Sequence, residues 1–194
     1  MNKQICLATN NQGKLDEYRK ILAPMGFVIY SPKDLNIDLD VEESGANYRE
    51  NSYLKAKAFA QLVPFPVIAD DSGLEVLALD GFPGLFSSRF AKECGGYPAA
   101  YEELSRRLAG KPRDAKFHCC ICYLANSTAK PLYFEGDCPG YLLSSPHGDH
   151  GFGYDPLFHC NEADIDFGVA DEATKNAYSH RAKAIQKLKI FLAI

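Results

Sequence analysis

Short apolar runs alternate along this chain with stretches in which apolar residues return every three or four positions, a pattern that predicts strands interleaved with helices. Gln4-Ile5-Cys6-Leu7-Ala8 reads as a first strand, followed by the polar loop Thr9-Asn10-Asn11-Gln12-Gly13-Lys14 and a helix marked by Leu15, Tyr18, Ile21 and Leu22. Pro24-Met25-Gly26 stops that helix, and Phe27-Val28-Ile29-Tyr30 forms a second strand. Ser44 and Asn47 are suited to cap a helix over 46–62 whose buried side carries Leu54, Ala58 and Leu62. Pro64-Phe65-Pro66 then leads into Val67-Ile68-Ala69, a buried strand that ends in Asp70-Asp71-Ser72-Gly73.

The second half has a different rhythm. A loop over 79–84 precedes a helix marked by Tyr101, Leu104 and Leu108 and stopped by Gly110-Lys111-Pro112. A long strand over 115–125, a hairpin partner over 131–136 and a further strand over 141–143 follow without helices between them, so an antiparallel portion is added to a βα beginning. Ser179 caps a last helix bearing Ile185, Leu188 and Leu192, which puts His180 and Arg181 in its first turn. Cations there oppose the helix dipole by a few tenths to about 1 kcal/mol; a bound electron-rich atom would account for them, and an exposed arginine would tolerate the cost.

A chain of 194 residues, 46% hydrophobic and 24% charged, suffices for one α/β domain with a real core. The net charge of -4 offers no broad electropositive face to nucleic acid, so any phosphate must be held by local groups or a metal. The amino-terminal stretch Met1-Asn2-Lys3-Gln4 lacks the apolar region of a secretory signal, and no run reaches membrane-spanning length. A soluble, cytoplasmic protein is expected, and its seven cysteines are expected as thiols. Cys119 and Cys122, although spaced as C-x-x-C, fall on opposite faces of a strand and cannot share a metal there.

Four stretches carry candidate chemistry. Strand, polar loop with Gly13 and Lys14, then helix is the layout of a phosphate cradle, since a helix amino terminus offers N–H groups and Lys14 a point charge. The glycine spacing of a P-loop is missing, and an ordinary turn would also fit. Asp38, Asp40, Glu42 and Glu43 crowd one loop, either as a solvated acidic turn or as ligands for a hard cation. Asp70 and Asp71 point opposite ways if the strand runs through them, so one would face a site and the other support the backbone. In His147-Gly148-Asp149-His150-Gly151-Phe152-Gly153-Tyr154-Asp155-Pro156, glycines flank aromatics that could stack on a base or simply fill a core. His147 and His150 mimic a metal pair, but no further ligand is fixed beside them.

Taken in order, Thr9-Asn10-Asn11-Gln12-Gly13-Lys14, Glu42-Glu43-Ser44-Gly45, Glu50-Asn51 with Lys55-Ala56, Ala69-Asp70-Asp71-Ser72-Gly73-Leu74, Gly81-Phe82-Pro83-Gly84 with Ser87-Ser88-Arg89, Gly151-Phe152-Gly153-Tyr154-Asp155-Pro156 and Ser179-His180-Arg181 resemble the inosine triphosphate pyrophosphatases, the non-canonical purine NTP pyrophosphatases. The resemblance covers nearly the whole chain. It implies a single domain over 1–194 with an elongated mixed α/β fold, two lobes around a central cleft, and usually a homodimer. It also implies Mg²⁺-dependent hydrolysis of ITP, dITP or XTP to monophosphate and pyrophosphate. Carried over, Thr9, Asn10, Asn11, Gln12, Gly13 and Lys14 would hold the phosphates, and Glu42, with Glu43 in reserve, and Asp71 would serve the metal. Asp71 would also be the proton acceptor. Ser72, Phe152, Gly153, Tyr154, Asp155, Lys175, His180 and Arg181 would bind the rest of the substrate. Two other readings remain open: a regulator that holds purine nucleotide without turning it over, and an aspartyl-phosphate phosphatase releasing orthophosphate.

Overall fold

The computed structural model describes residues 3–193; Met1 and Asn2 of the amino-terminal stretch, and Ile194, lie outside them. In chain order the elements are β1 (Lys3–Leu7), α1 (Gln12–Leu22), β2 (Phe27–Tyr30), α2 (Tyr48–Ala60), β3 (Val67–Val76), α3 (Ser87–Glu93), α4 (Tyr97–Arg107), β4 (Asp114–Leu124), β5 (Leu132–Leu142), β6 (Phe158–Cys160), β7 (Ile165–Asp166), α5 (Glu172–Tyr178) and α6 (His180–Leu192). The strands form one mixed sheet in the order β2-β1-β3-β4-β5-β6-β7, with helices flanking it. β1 pairs parallel with β2 and β3, while β6 pairs antiparallel with β5 and β7. The α/β fold with an added antiparallel portion is therefore as expected.

The chain divides into two compact units. One comprises Met1–Asp71, Cys119–Glu135 and Ala184–Ile194; the other comprises Ser72–His118 and Gly136–Lys183. In the first, the two-residue period of the strands sorts side chains to opposite faces. Ile5, Leu7, Ile68, Cys119 and Ile121 pack with Leu15 and Tyr18 of α1 and with Ile185 and Leu188 of α6. Cys6, Ala8, Val67, Ala69, Cys122 and Leu124 pack with Ala56, Phe59 and Ala60 of α2. Cys119 and Cys122 thus lie on opposite faces, as the spacing required, and all seven cysteines are free thiols. In the second unit, Leu74 and Val76 join Phe90, Leu104, Leu108, Phe117, Leu142, Leu157, Phe158 and Phe167 in one core.

Three expectations need correction. α2 starts at Tyr48, with the Asn47 side chain accepting from the Glu50 N–H at 2.9 Å, and Leu54 and Leu62 are exposed. Its inward face instead carries Asn51, Ser52, Ala56, Phe59 and Ala60, because both polar residues find partners inside. Asn51 donates to Asp71 at 3.0 Å, and Ser52 Oγ lies 3.8 Å from Cys120 Sγ. A stripe chosen by hydrophobicity misses such a face. Secondly, β3 does not end at the carboxylates but runs through Asp70 and Asp71 to Val76. Lysines compensate the two buried charges, and Leu74 and Val76 continue the apolar alternation. Thirdly, 131–136 and 141–143 belong to one strand, β5, whose buried Cys138, Gly140 and Leu142 alternate with exposed neighbours.

Candidate active site

In the first unit, the amino terminus of α1 is built by Asn11, whose Oδ1 accepts the Lys14 N–H at 3.1 Å. The Asn11 N–H in turn donates to Thr9 Oγ1 at 3.2 Å. Asn10, Asn11 and Gln12 are exposed there, at a helix amino terminus, the end whose dipole favours an anion. The Lys14 ammonium bends back to Asp70 Oδ1 at 2.9 Å, and the Asp70 side chain is fully buried. Asp70 follows the parity of Ile68 and sits on the α1 side of the sheet.

Asp71 has the opposite parity and faces α2. Asn51 Nδ2 donates to its Oδ2 at 3.0 Å, and the Lys55 ammonium stands 4.0 Å from its Oδ1. Lys55 also makes a tight ion pair with Glu43, so one lysine is shared by carboxylates from two segments. Asn51 accepts the Gly45 N–H at 2.8 Å, tying the acidic loop to the same helix. A Cβ on Gly45 would fall 2.6 Å from Glu50 Cβ and 2.7 Å from Asn51 Oδ1, so this close approach requires glycine.

The electrostatics follow from burial. Burial raises the Asp71 carboxyl above the ordinary carboxylate range and the charge of Glu43 adds to that, against the opposing charges of Lys55 and Lys14 and the Asn51 hydrogen bond. For Lys55, burial acts most strongly and against the charge, yet Asp71, Glu43 and Asp70 together hold the ammonium above its usual value. Two lysines and three carboxylates thus meet in this cluster.

In the second unit, a turn over 151–155 leads into a single 3₁₀ turn at Asp155–Leu157. Asp155 Oδ2 accepts the Phe152 N–H at 2.7 Å and the Lys175 ammonium at 2.6 Å, and both ion-pair partners are buried. Gly151 has φ +74°, and a Cβ there would fall 2.2 Å from Asp155 Oδ2. The Lys175 ammonium lies 4.5 Å from the Phe152 ring centre and the Arg181 guanidinium 5.6 Å from it. Arg181 donates to Ser72 Oγ at 2.9 Å, and the His180 ring stacks on Phe117 at 4.8 Å and 16°. Tyr154 is buried, its hydroxyl donating to the Ser87 carbonyl at 2.8 Å, while Tyr101 donates to the Gly153 carbonyl.

The candidate residues therefore gather in two clusters. The first brings Thr9, Asn10, Asn11, Gln12, Gly13 and Lys14 together in one helix start, with Lys14 close enough for its charge to act on Asp71. The second gathers Ser72, Phe152, Gly153, Tyr154, Asp155, Lys175, His180 and Arg181. Of the two adjacent glutamates, Glu43 turns inward to Lys55 and Glu42 is exposed. Asn51 and Lys55 are site residues to which the sequence, where they stand only among the stretches that carry the resemblance, assigned no role. Their separation of four on one helix face, beside a buried strand ending in carboxylates, was the available signal. His147 and His150 are engaged elsewhere: His147 Nδ1 meets Asp166 at 2.7 Å, and His150 Nδ1 donates to the Ala170 carbonyl at 3.0 Å. Among the described residues, no group of three or more His, Cys, Asp or Glu side chains is assembled to hold a metal.

A model of the Ham1 family matches residues 5–191. The dITP/XTP pyrophosphatase of Halalkalibacterium halodurans is 41% identical over 193 residues, covering 98% of this chain and 99% of that protein. The dITP/XTP pyrophosphatase of Haemophilus influenzae is 42% identical, covering 97% and 98%. Among solved structures, the Ham1 protein of Staphylococcus aureus superposes with a TM-score of 0.86 at 37% identity, and a HAM1 protein from Coxiella burnetii with 0.89 at 33%, each covering 98% of both chains.

Proposed function

Because the chain belongs to the Ham1 family, we propose that it hydrolyses non-canonical purine nucleoside triphosphates, ITP, dITP and XTP, to the monophosphate and pyrophosphate. The reading rests most directly on Lys55 being shared by Glu43 and Asp71 beside the helix start that carries Lys14. Residues 1–194 act as one pyrophosphatase domain.

The donor set suits magnesium, which takes one or two carboxylates plus phosphate oxygens rather than an all-protein cage. Glu43 and Asp71 are our ligands of choice, since both carboxylates meet at Lys55, and Glu42 at the neighbouring exposed position is the alternative. When bound, the ion supplies neutralisation of the charge spread over the transferring phosphoryl oxygens. The protein's own part is positional. The N–H groups at the start of α1 and the Lys14 ammonium, oriented by Asp70, grip the phosphate tail. Asp71, held by Asn51, orients a water and accepts its proton. Its buried setting favours that role by raising its proton affinity.

Base selection follows from hydrogen-bond polarity. The 6-oxo group of hypoxanthine or xanthine accepts where the adenine amino group donates. Arg181 and Lys175 are donors only, so adenine would face them with an unmatched contact. Sites built on such a bond discriminate by roughly 10⁴ or more. Phe152 offers a ring for stacking, its charge environment set by the two cations beside it.

The resemblance extends the proposal to a cytoplasmic homodimer; no helix of the described residues is long and apolar enough to cross a membrane. The deciding experiment incubates purified protein with Mg²⁺ and ITP, XTP, dITP, GTP or ATP and identifies the phosphate released. Pyrophosphate from the first three, with little turnover of ATP, is expected. Orthophosphate would instead indicate an aspartyl-phosphate phosphatase, and binding without turnover a regulator.

A further inference from the structure

Two sulfurs in the second unit have no part in this chemistry. Cys138 lies in the middle of β5 and Cys160 ends β6, its neighbour in the sheet, where Gly140 is the direct partner of Cys160. The pair is therefore diagonal across two antiparallel strands, and both side chains are completely buried on one face. Their sulfurs are 3.5 Å apart, with the Cys138 thiol donating to Cys160. The backbone N–H groups of Glu162 and Ala163, in the turn after β6, point at the same Cys160 sulfur. Across the two strand ends, the Lys183 ammonium binds the Asp137 carbonyl at 3.0 Å and the Glu162 carboxylate, which holds the sulfurs in register.

We propose that Cys138 and Cys160 form an oxidisable dithiol, with Cys160 the attacking sulfur and Cys138 the resolving one. Three donors converge on Cys160, the arrangement that stabilises a thiolate, and its thiol is lowered to about 6, chiefly by the Cys138 hydrogen bond. Cys138, the donor in that bond, is raised by the same contact. The other thiols with a resolved shift, Cys6, Cys120 and Cys122, are pushed up to about 12 by burial.

The oxidant is a small hydroperoxide. The Cys160 thiolate attacks one peroxide oxygen, the O–O bond breaks, and hydroxide leaves with the electron pair to give the sulfenic acid. Cys138 gives up its proton to the departing oxygen as its sulfur attacks Cys160, the S–O bond breaks, water leaves, and the disulfide forms. Closing about 1.5 Å to bonding distance requires side-chain rotation at both residues.

The test treats the reduced full-length protein with hydrogen peroxide, quenches with catalase, and alkylates in denaturant before peptide mapping. The expected result is one new species in which the peptides of Cys138 and Cys160 are joined, reversible by dithiothreitol, with the alkylatable thiols falling from seven to five. In Cys138→Ser the reaction should halt at the sulfenic acid, captured on Cys160 by dimedone; in Cys160→Ser, Cys138 should remain a thiol. Full alkylation of both residues after peroxide has oxidised the half-buried Cys94 would overturn the proposal. Joining of a different pair, or a dimedone adduct on Cys138 in Cys160→Ser, would do the same. The wild-type mapping stands even if neither variant folds, and it is independent of whether the protein turns over nucleotides.

Discussion

Each unit buries an aspartate–lysine pair on which its cluster is built, but the charge around the two pairs differs. Around Asp71 and Asp70, two lysines face three carboxylates, and Asp71 is left with a raised proton affinity. Around Asp155, one carboxylate Oδ2 takes both the Lys175 ammonium and the Phe152 N–H, and Lys175 and Arg181 both lie against the Phe152 ring. The first cluster is the richer in carboxylates and the second the richer in cations. That contrast means that the same Asp→Asn change should act in opposite senses on stability in the two places.

The largest expected effect breaks the first cluster. Asp71→Asn should lower ITP turnover by about 10³-fold or more, the usual weight of a positioned general base, while the circular dichroism spectrum stays that of the wild type. Next comes the second cluster. Asp155→Asn leaves the Lys175 charge buried without its counter-ion and should cost about 3 kcal/mol of stability, read as a fall in the urea midpoint. Lys14→Ala should then raise KM about tenfold or more, with a smaller change in kcat, in steady-state assays at saturating Mg²⁺. Glu43→Gln should raise the Mg²⁺ concentration needed for half-maximal activity several-fold, about a factor of 5, whereas Glu42→Gln should change it by less than about twofold. Equal effects of the two would remove the distinction drawn between an inward and an outward glutamate.

The smallest effect is the most diagnostic of the contrast. The folded-state pKa of Asp71 is raised, so its contribution to stability is present below the unfolded carboxylate value and is lost as pH rises through the folded one. Without metal, Asp71→Asn should therefore melt slightly higher than the wild type at pH 7, and the gain should vanish on acidification. A metal-free melting point that falls instead would show that burial does not disfavour the Asp71 charge.

Much of this was legible from residue order. The strand–loop–helix start at Thr9 to Lys14, the cap at Ser179 and the opposite faces of Cys119 and Cys122 follow from periodicity and capping, and the structure has them so. The Ala182 N–H indeed donates to Ser179 Oγ at 3.1 Å. What was not legible concerns polar groups that pair inside. Hydrophobic periodicity put Leu54 and Leu62 on the buried face of α2, where Asn51 and Ser52 belong, since local pattern contains no information about a carboxylate 20 residues away. For the same reason β3 looked finished at Asp70, although charges that are matched across the fold do not end a strand. Glu42 and Glu43 could not be separated, because only the loop's path decides which of two neighbours turns toward Lys55.

The unbroken run of β3 through Asp70, Asp71 and Ser72 has one last implication. Removing a single residue such as Ala69 would exchange the sides of both carboxylates at once, delivering Asp70 to the α2 face and Asp71 to the α1 face. Engineering of this enzyme's chemistry must therefore work by side-chain replacement along that strand and never by changing its length, because its pleat is the gauge from which both neighbouring helices take their charge.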